Sequence, residues 1–440
     1  MIKKKFSKLV GLKYEDFLAY QKQESGQIIA QPARLIPLLK TGDEGALTSI
    51  FLSAIKLVRE YRDSIFKEIK LSRSGKAYYY TEVTFKETDN SRIDGLIIIV
   101  SKGVIQDAIV FEMKNKKNSV DKDQIEKYIA LCKKIGVSKM VTVSNEFVSD
   151  CTQSPVKAKA PKNFSLYHFS WTYLMTKGQL LLFRNDATIK DEDQVEIMRE
   201  VLYYFDNEKS GINGYHIMKP GWKETVDKIT NRIPLKISDS FVEEAVESWH
   251  EEEKDMALLL SRKLGILVKS SSRNKESVKN DIRKIVNDQE LFGNLSIKNS
   301  VSDIKIKVDF EVKTVSMSVK VVPPLNKGTT ARITWISRQL ESAKKKNEPV
   351  FESIERDIYI EANIKHAREH IRIPLSGFET LIEQSKGKEI QAFNIVLLSK
   401  FKTGFGSNSN FIKLIDNMVL NYYSGIVQYL ANWNQPAPKL

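Results

Sequence analysis

Apolar residues along the first half of the chain change period several times, and each change marks an element. From Gly42 to Leu71, the residues Leu47, Ile50, Phe51, Ala54, Ile55 and Val58 recur at the spacing of one helix face. This predicts a long helix entered between Thr41 and Glu44. KAYYYTEVTF, IDGLIIIV and VIQDAIVFEMK then read as three strands separated by the polar turns KETDNS and SKG. Val120 to Ile135 returns to helical spacing, and SKMVTVS is a further strand. A helical crossover between Phe111 and Val141 favours a mixed sheet with helices on its faces. FSLYHFSWTYL and a helix near Asp191 to Phe205 complete an α/β domain over residues 1–220.

Residues 221–299 read as a mainly helical connector. Its acidic run, FVEEAVESWHEEEKD, is expected to be a solvated helix face, and KSSSRNK is a basic, serine-rich break. Further on, Ile304, Ile306, Val308, Phe310 and Val312 alternate with polar residues, whereas Val315, Met317, Val319 and Val321 alternate in the opposite phase. Such a slip predicts a tight hairpin or a bulge between two antiparallel strands. ARITWISRQLE as a helix, with IYIEANI and HIRIPL as a strand pair, makes residues 300–440 an α+β domain. This accessory domain is expected to set the choice of substrate, or to bind a partner protein or a second copy of the chain.

Composition agrees with a folded protein: of 440 residues, 42% are hydrophobic and 28% charged. A formal net charge of +14 suits a polyanionic partner, whether nucleic acid or a membrane surface. No apolar run approaches the ~18 residues of a spanning helix, so no membrane insertion is expected. The basic start, MIKKKFSKLVGLKYEDF, lacks the apolar run and cleavage site of a secretory signal. Cys132 and Cys151 form no CxxC pair, which argues against a disulfide framework or structural zinc and for a reducing cytoplasm.

The candidate chemistry lies in R-I-D-G-L-I-I-I followed by I-V-F-E-M-K, with 17 residues between Asp94 and Glu112. Side chains alternate along a strand, so Val110, Glu112 and Lys114 share one face and Ile109, Phe111 and Met113 the other. A carboxylate and an ammonium on so apolar a strand are costly unless paired, solvated in a cleft or bound to a metal. If the Asp94 and Glu112 strands pair through the SKG turn, both carboxylates reach one cation. Each feature alone has a plainer reading: Asp94-Gly95 as a turn dipeptide, Glu112 and Lys114 as an exposed stripe on an edge strand.

Together, these residues resemble the signature of the PD-(D/E)xK nuclease superfamily, with Ile93 where the signature has proline. The resemblance implies a restriction-endonuclease-like mixed sheet. It also implies magnesium, with manganese as substitute, held by Asp94, Glu112 and the main-chain carbonyl of Met113. Lys114 is implied to orient or help deprotonate the attacking water and to stabilise developing charge. Gln124 and Tyr128, four apart on the following helix, resemble the Q-x-x-x-Y motif of RecB-like nucleases and are implied to contact substrate; a half-buried helix flank is the plainer reading. Glu44 is a candidate for the further acidic metal ligand that many members place on the first helix, with a favourable helix N-terminus as the alternative. Glu82 is a weaker candidate. ARLIPLLKTGDEGALTSIFLSAI, FEMKNKKNSVDKDQIEKY and YHFSWTYLMTKGQLLL are similar to an uncharacterised bacterial family carrying this core.

The function this implies is metal-dependent hydrolysis of phosphodiester bonds in DNA, in defence or repair. Cleavage of RNA, or a catalytically silent nucleic-acid-binding or scaffold role, stands as the alternative. His366, Glu369 and His370 match the H-x-x-E-H zinc pattern, but strand-like flanks oppose the helix it needs. SPVKAKAPKN, Ser154 to Asn163, reads as a solvated surface loop.

Overall fold

A computed structural model describes residues 8–22, 28–32, 42–86, 92–116, 118–148, 150–183, 188–212, 214–368 and 370–434. The first few basic residues, most of the KETDNS turn and Glu369 lie outside them. The chain forms two compact units, Met1–Tyr215 with Ser261–Ile266, and His216–Leu260 with Leu267–Leu440. Both are sheets flanked by helices, one mixed and one antiparallel.

In the first unit, β1 (Ile28–Pro32), β2 (Lys76–Phe85), β3 (Arg92–Ser101), β4 (Val104–Met113), β5 (Lys139–Ser144) and β6 (Ser165–Ser170) lie side by side in chain order. The pairs from β1 to β4 are antiparallel, whereas β4, β5 and β6 run parallel. A parallel pair needs a crossover, and between β4 and β5 this is α4 (Lys122–Ile135). The Asp121 carboxylate caps its start by accepting from Gln124 N–H, and Gly136 ends it at φ 75°, a backbone region where glycine carries no steric penalty. One apolar face of the sheet, with Ile97, Ile99, Ile109 and Phe111, packs with residues of α2 (Glu44–Leu57), α3 (Arg59–Glu68), α5 (Trp171–Leu182) and α6 (Glu192–Asp206). The other, with Leu96, Ile98, Ala108 and Val110, packs with α4 and Phe17 of α1 (Tyr14–Lys22).

The helix expected from Gly42 to Leu71 is two helices. Val58 adopts extended dihedrals (φ −105°, ψ 107°), closing α2 and opening α3. Val58 and Tyr61 are both fully buried, so the bend keeps α3 on the same core.

The second unit is a seven-stranded antiparallel sheet built from β7 (Val268–Ser270), β8 (Glu290–Ile297), β9 (Ile304–Asp309), β10 (Thr314–Val321), β11 (Ile358–Ile364), β12 (Ile371–Pro374) and β13 (Ile390–Lys400), in the order β12-β11-β13-β10-β9-β8-β7. β7 and β8 fall within the stretch expected to be mainly helical, alongside α7 (Pro220–Thr230), α8 (Ser240–Leu264) and α9 (Lys275–Asp288). The phase slip is the β9–β10 hairpin; Val312 lies in its turn and is exposed, outside the alternation. His366 (φ 59°) sits in the turn region between β11 and β12, and the described part of its H-x-x-E-H match is not helical.

The acidic run on α8 is not a solvated face. Glu252 and Glu253 are 0% exposed, and His250, Glu251 and Asp255 are buried beside them. Specific partners make much of this burial tolerable: Arg273 reaches Glu253 at 2.6 Å, Lys219 reaches Glu251 at 2.8 Å, and His250 meets Asp281 at 2.8 Å. Glu252 is different. Neither of its oxygens has a hydrogen-bond partner, and burial, then the charges of Asp416 and Asp255, push its carboxyl well above the usual range. Among the described residues no helix is long and apolar enough to cross a membrane, and neither Cys132 nor Cys151 is in a disulfide.

Candidate active site

The site begins with a register. Lys102 and Gly103, both left-handed (φ 51° and 77°), form the tight turn that joins β3 to β4. The resulting antiparallel pairing sets Gly95 opposite Phe111. Asp94 and Glu112, one position outward on each strand, therefore share the face that carries Leu96 and Val110 and is covered by α4. Asp94-Gly95 is a strand dipeptide, not a turn. A Cβ on Gly95 would lie 3.0 Å from Leu52 and 3.1 Å from Phe111, so glycine lets α2 approach the opposite face of the sheet.

Around Glu112 the side chains form one network. Its Oε1 accepts from Lys114 Nζ at 2.8 Å and from Gln124 Nε2 at 2.7 Å. Gln124 also lies 3.1 Å from the Tyr128 hydroxyl, which donates to the Arg92 carbonyl at 2.9 Å. One helical turn separates Gln124 from Tyr128, so both project toward β3 and β4 from the same edge of α4. Asp94 accepts from the Met113 N–H at 2.7 Å. Glu44, at the start of α2, accepts from Asn115 N–H at 3.0 Å and Asn118 Nδ2 at 2.8 Å, just past the end of β4. The structure thus brings Asp94, Glu112, Lys114, Gln124 and Tyr128 together, with Glu44 close enough for its charge to act on Asp94 and Lys114. Glu82 (φ 54°) is committed elsewhere, pairing with Arg92 at 2.6 Å.

Glu112 is 2% exposed, and burial first, then the charge of Asp94, push its carboxyl up to about 8 against the pull of Lys114. Burial also raises Asp94, with Glu44 adding to the effect and the Met113 N–H and Lys114 opposing it. The two buried carboxyls act on one another, so burial and like charge together favour a proton on the pair. Burial works to lower Lys114, yet its bond to Glu112 and the surrounding carboxylates outweigh this and hold it charged. Tyr128 is raised by burial and by Glu112, which keeps the hydroxyl a donor.

No family model, curated protein or solved structure matches the chain.

The donor set bears directly on a divalent cation. Among the described residues, no group of three or more His, Cys, Asp or Glu side chains is arranged to hold a metal ion. Magnesium retains several waters and is commonly held through one or two carboxylates, so a pair is a sufficient protein contribution. The buried Glu112 Oε2 has no hydrogen-bond partner and lies on a carboxylate that interacts with Asp94. A hard cation between the two would take the place of a proton on the pair and remove the like-charge penalty. The pair fits magnesium on charge and ligand chemistry.

Several positioning residues have no signature in the sequence. The Trp171 indole donates to the Lys114 carbonyl at 2.9 Å, and Lys114 N–H donates to Val143 of β5 at 2.7 Å, fixing the backbone from which the ammonium extends. Asn115 is 1% exposed and donates to the Gly42 and Ser210 carbonyls, tying the end of β4 to the entry of α2. His168 is fully buried between Thr142 and the Glu146 carbonyl, and burial lowers it to about 4, so it is a neutral brace between strands. Only tertiary packing defines these roles; the adjacency of Asn115 to E-x-K was the one visible signal.

Proposed function

We propose that the protein is a metal-dependent nuclease that hydrolyses phosphodiester bonds in DNA, with a restriction-endonuclease-like first unit. One observation carries the reading: Asp94 and the unpartnered buried oxygen of Glu112 sit on one sheet face beside a charged lysine. An arrangement that only stabilised a sheet would have no use for it, since buried ion pairs seldom exceed apolar packing in stability.

In this reading Asp94, Glu112 and the Met113 carbonyl hold magnesium or manganese, and Glu44 adds negative potential. When bound, the ion supplies Lewis acidity at the scissile phosphate and toward the attacking water. Lys114 orients that water through its ammonium and stabilises charge growing on the phosphoryl oxygens. Its contact with Glu112 holds the long side chain ready, so little reorganisation accompanies reaction. Gln124 and Tyr128 fix Glu112 from α4 and present polar groups toward substrate. The second unit, with its own sheet, serves substrate or partner choice, including association with a second copy, and the protein works in a reducing cytoplasm.

The decisive experiment is a digestion panel of single-stranded DNA, double-stranded DNA and RNA with magnesium, manganese or EDTA, using wild-type protein and Glu112→Ala. Metal-dependent DNA cleavage lost in the variant is expected. Cleavage by Glu112→Ala at the wild-type rate would refute the mechanism; cleavage of RNA alone would reassign the substrate.

A further inference from the structure

At the far end of β3, on the opposite face of the same sheet, lies a cavity of about 300 Å³ unrelated to the carboxylate pair. Ile99 in its wall lies five strand steps from Asp94, on the order of 17 Å at the usual strand rise. The odd-numbered Ile99 and Tyr79 belong to the core beneath α2 and α3, whereas Asp94 and Glu112 face α4.

The charged groups lining the cavity are Lys56, Arg62, Arg73 and Lys76 against the single carboxylate of Asp63. Arg62 is matched to Asp63 at 3.3 Å. Lys76 is turned away, its ammonium over the Tyr78 ring at 5.2 Å on the other face of the sheet, and Lys56 and Arg73 have no ion pair among the described residues. Two cations, Lys56 and Arg73, therefore line the cavity without a matching anion. At the inner wall, Tyr79 is 7% exposed and its buried hydroxyl lies against the Arg62 guanidinium, with no acceptor for its own proton. A surface patch of solvated lysines has no such donor. Phe66, Ala77 and Ile99 make the apolar part of the remaining wall, beside Ser72.

We infer that this cavity is a second ligand site, taking an organic phosphomonoester of nucleotide size. A dianionic phosphate matches the uncompensated cations better than a singly charged carboxylate does. Guanidinium groups present paired donors to phosphate oxygens, and the Tyr79 hydroxyl supplies a neutral donor from within. The volume exceeds a bare phosphate, and the apolar wall gives the organic part a surface to lie on. This site stands apart from the proposed nuclease chemistry and does not depend on it.

The test is isothermal titration calorimetry on the full chain in EDTA, with adenosine 5′-monophosphate, inorganic phosphate and adenosine as probes. Saturable binding of the monophosphate is expected, with weaker binding of inorganic phosphate and none of adenosine. The double variant Lys56→Gln/Arg73→Gln, both positions exposed, should bind the monophosphate at least ~10-fold more weakly, as expected for lost charge-assisted bonds. Tyr79→Phe should weaken it by a smaller factor, and Glu112→Gln should leave it unchanged. Absence of monophosphate binding by wild type, wild-type affinity in the double variant, or loss on Glu112→Gln would each overturn the proposal. Circular dichroism of each variant separates lost binding from lost folding.

Discussion

Replacing Glu112 by glutamine isolates the cost of its buried charge. The side chain keeps its shape, its oxygen still accepts from Lys114 and Gln124, and its new amide can donate to Asp94. The sign follows from linkage: the native carboxyl holds its proton up to about 8, whereas the unfolded one releases it near 4.5. The native state is thus favoured below pH ~4.5, and that advantage is lost progressively as pH rises through about 8. At ~1.4 kcal/mol per tenfold, the full loss is at most ~5 kcal/mol, and ~2 to 5 kcal/mol if Asp94 shares the proton. At 2% exposure little solvent screening reduces it. Hydrogen exchange of the β3 and β4 amides, in EDTA at pH 5 and pH 9, reads the local opening free energy after correction for intrinsic rates. Relative to Glu112→Gln, wild-type protection should fall by at least ~30-fold between the two values, and magnesium should restore it in wild type only. Parallel pH dependence in the two proteins would refute a costly shared charge at this position.

Other outcomes follow from the same geometry. Lys114→Ala should retain magnesium binding by calorimetry yet slow single-turnover cleavage by ~100-fold or more, because charge stabilisation is lost where the transition state needs it. Gln124→Ala should cost less, ~10-fold, since it loosens Glu112 without removing a ligand, and its effect should appear in KM as well as kcat. Glu252→Gln in the second unit should raise stability at pH 8 and not at pH 4: its raised carboxyl favours the native state at low pH, an advantage that fades as pH rises. Urea denaturation at both values checks this, and equal shifts at pH 4 and 8 would contradict it.

How far the sequence revealed these features depended on how local their causes are. Strand alternation put Glu112 on the α4 face, and the same period in β3 put Asp94 there. Asp121 and Gly136 mark the ends of α4 by chemistry that acts within a turn or two of the chain. The break at Val58 was not legible, because apolar spacing continues smoothly through a bend that tertiary packing imposes. The acidic stretch of α8 misled for a related reason. Four acids in five residues look like solvent-facing charge, and Lys219 and Arg273, which help neutralise them, lie about 20 to 30 positions away. The cationic cavity likewise draws on α2, α3 and two strands, with no short motif to announce it.

Burial alone does not distinguish chemistry from scaffold here, because both units enclose carboxylates. Satisfaction does. Glu253 accepts from Ser271 N–H and Oγ, Asn294 N–H and Arg273, so its desolvation is compensated and its role is to hold β8 and the segment after β7 to α8. Glu252 lies at the other limit, fully enclosed with both oxygens unbonded, and protonation alone can relieve it. Glu112 stands between them. One oxygen is fully engaged, the other is unpartnered, and the adjoining Asp94 and Lys114 remain partly open to solvent. A cation arriving from solution can therefore reach the pair and offset a charge that the fold leaves half-balanced. Of the three carboxylates, Glu112 is the one whose cost a diffusible ligand can remove, and on that ground the proposed chemistry is assigned to it rather than to the larger acidic cluster of α8.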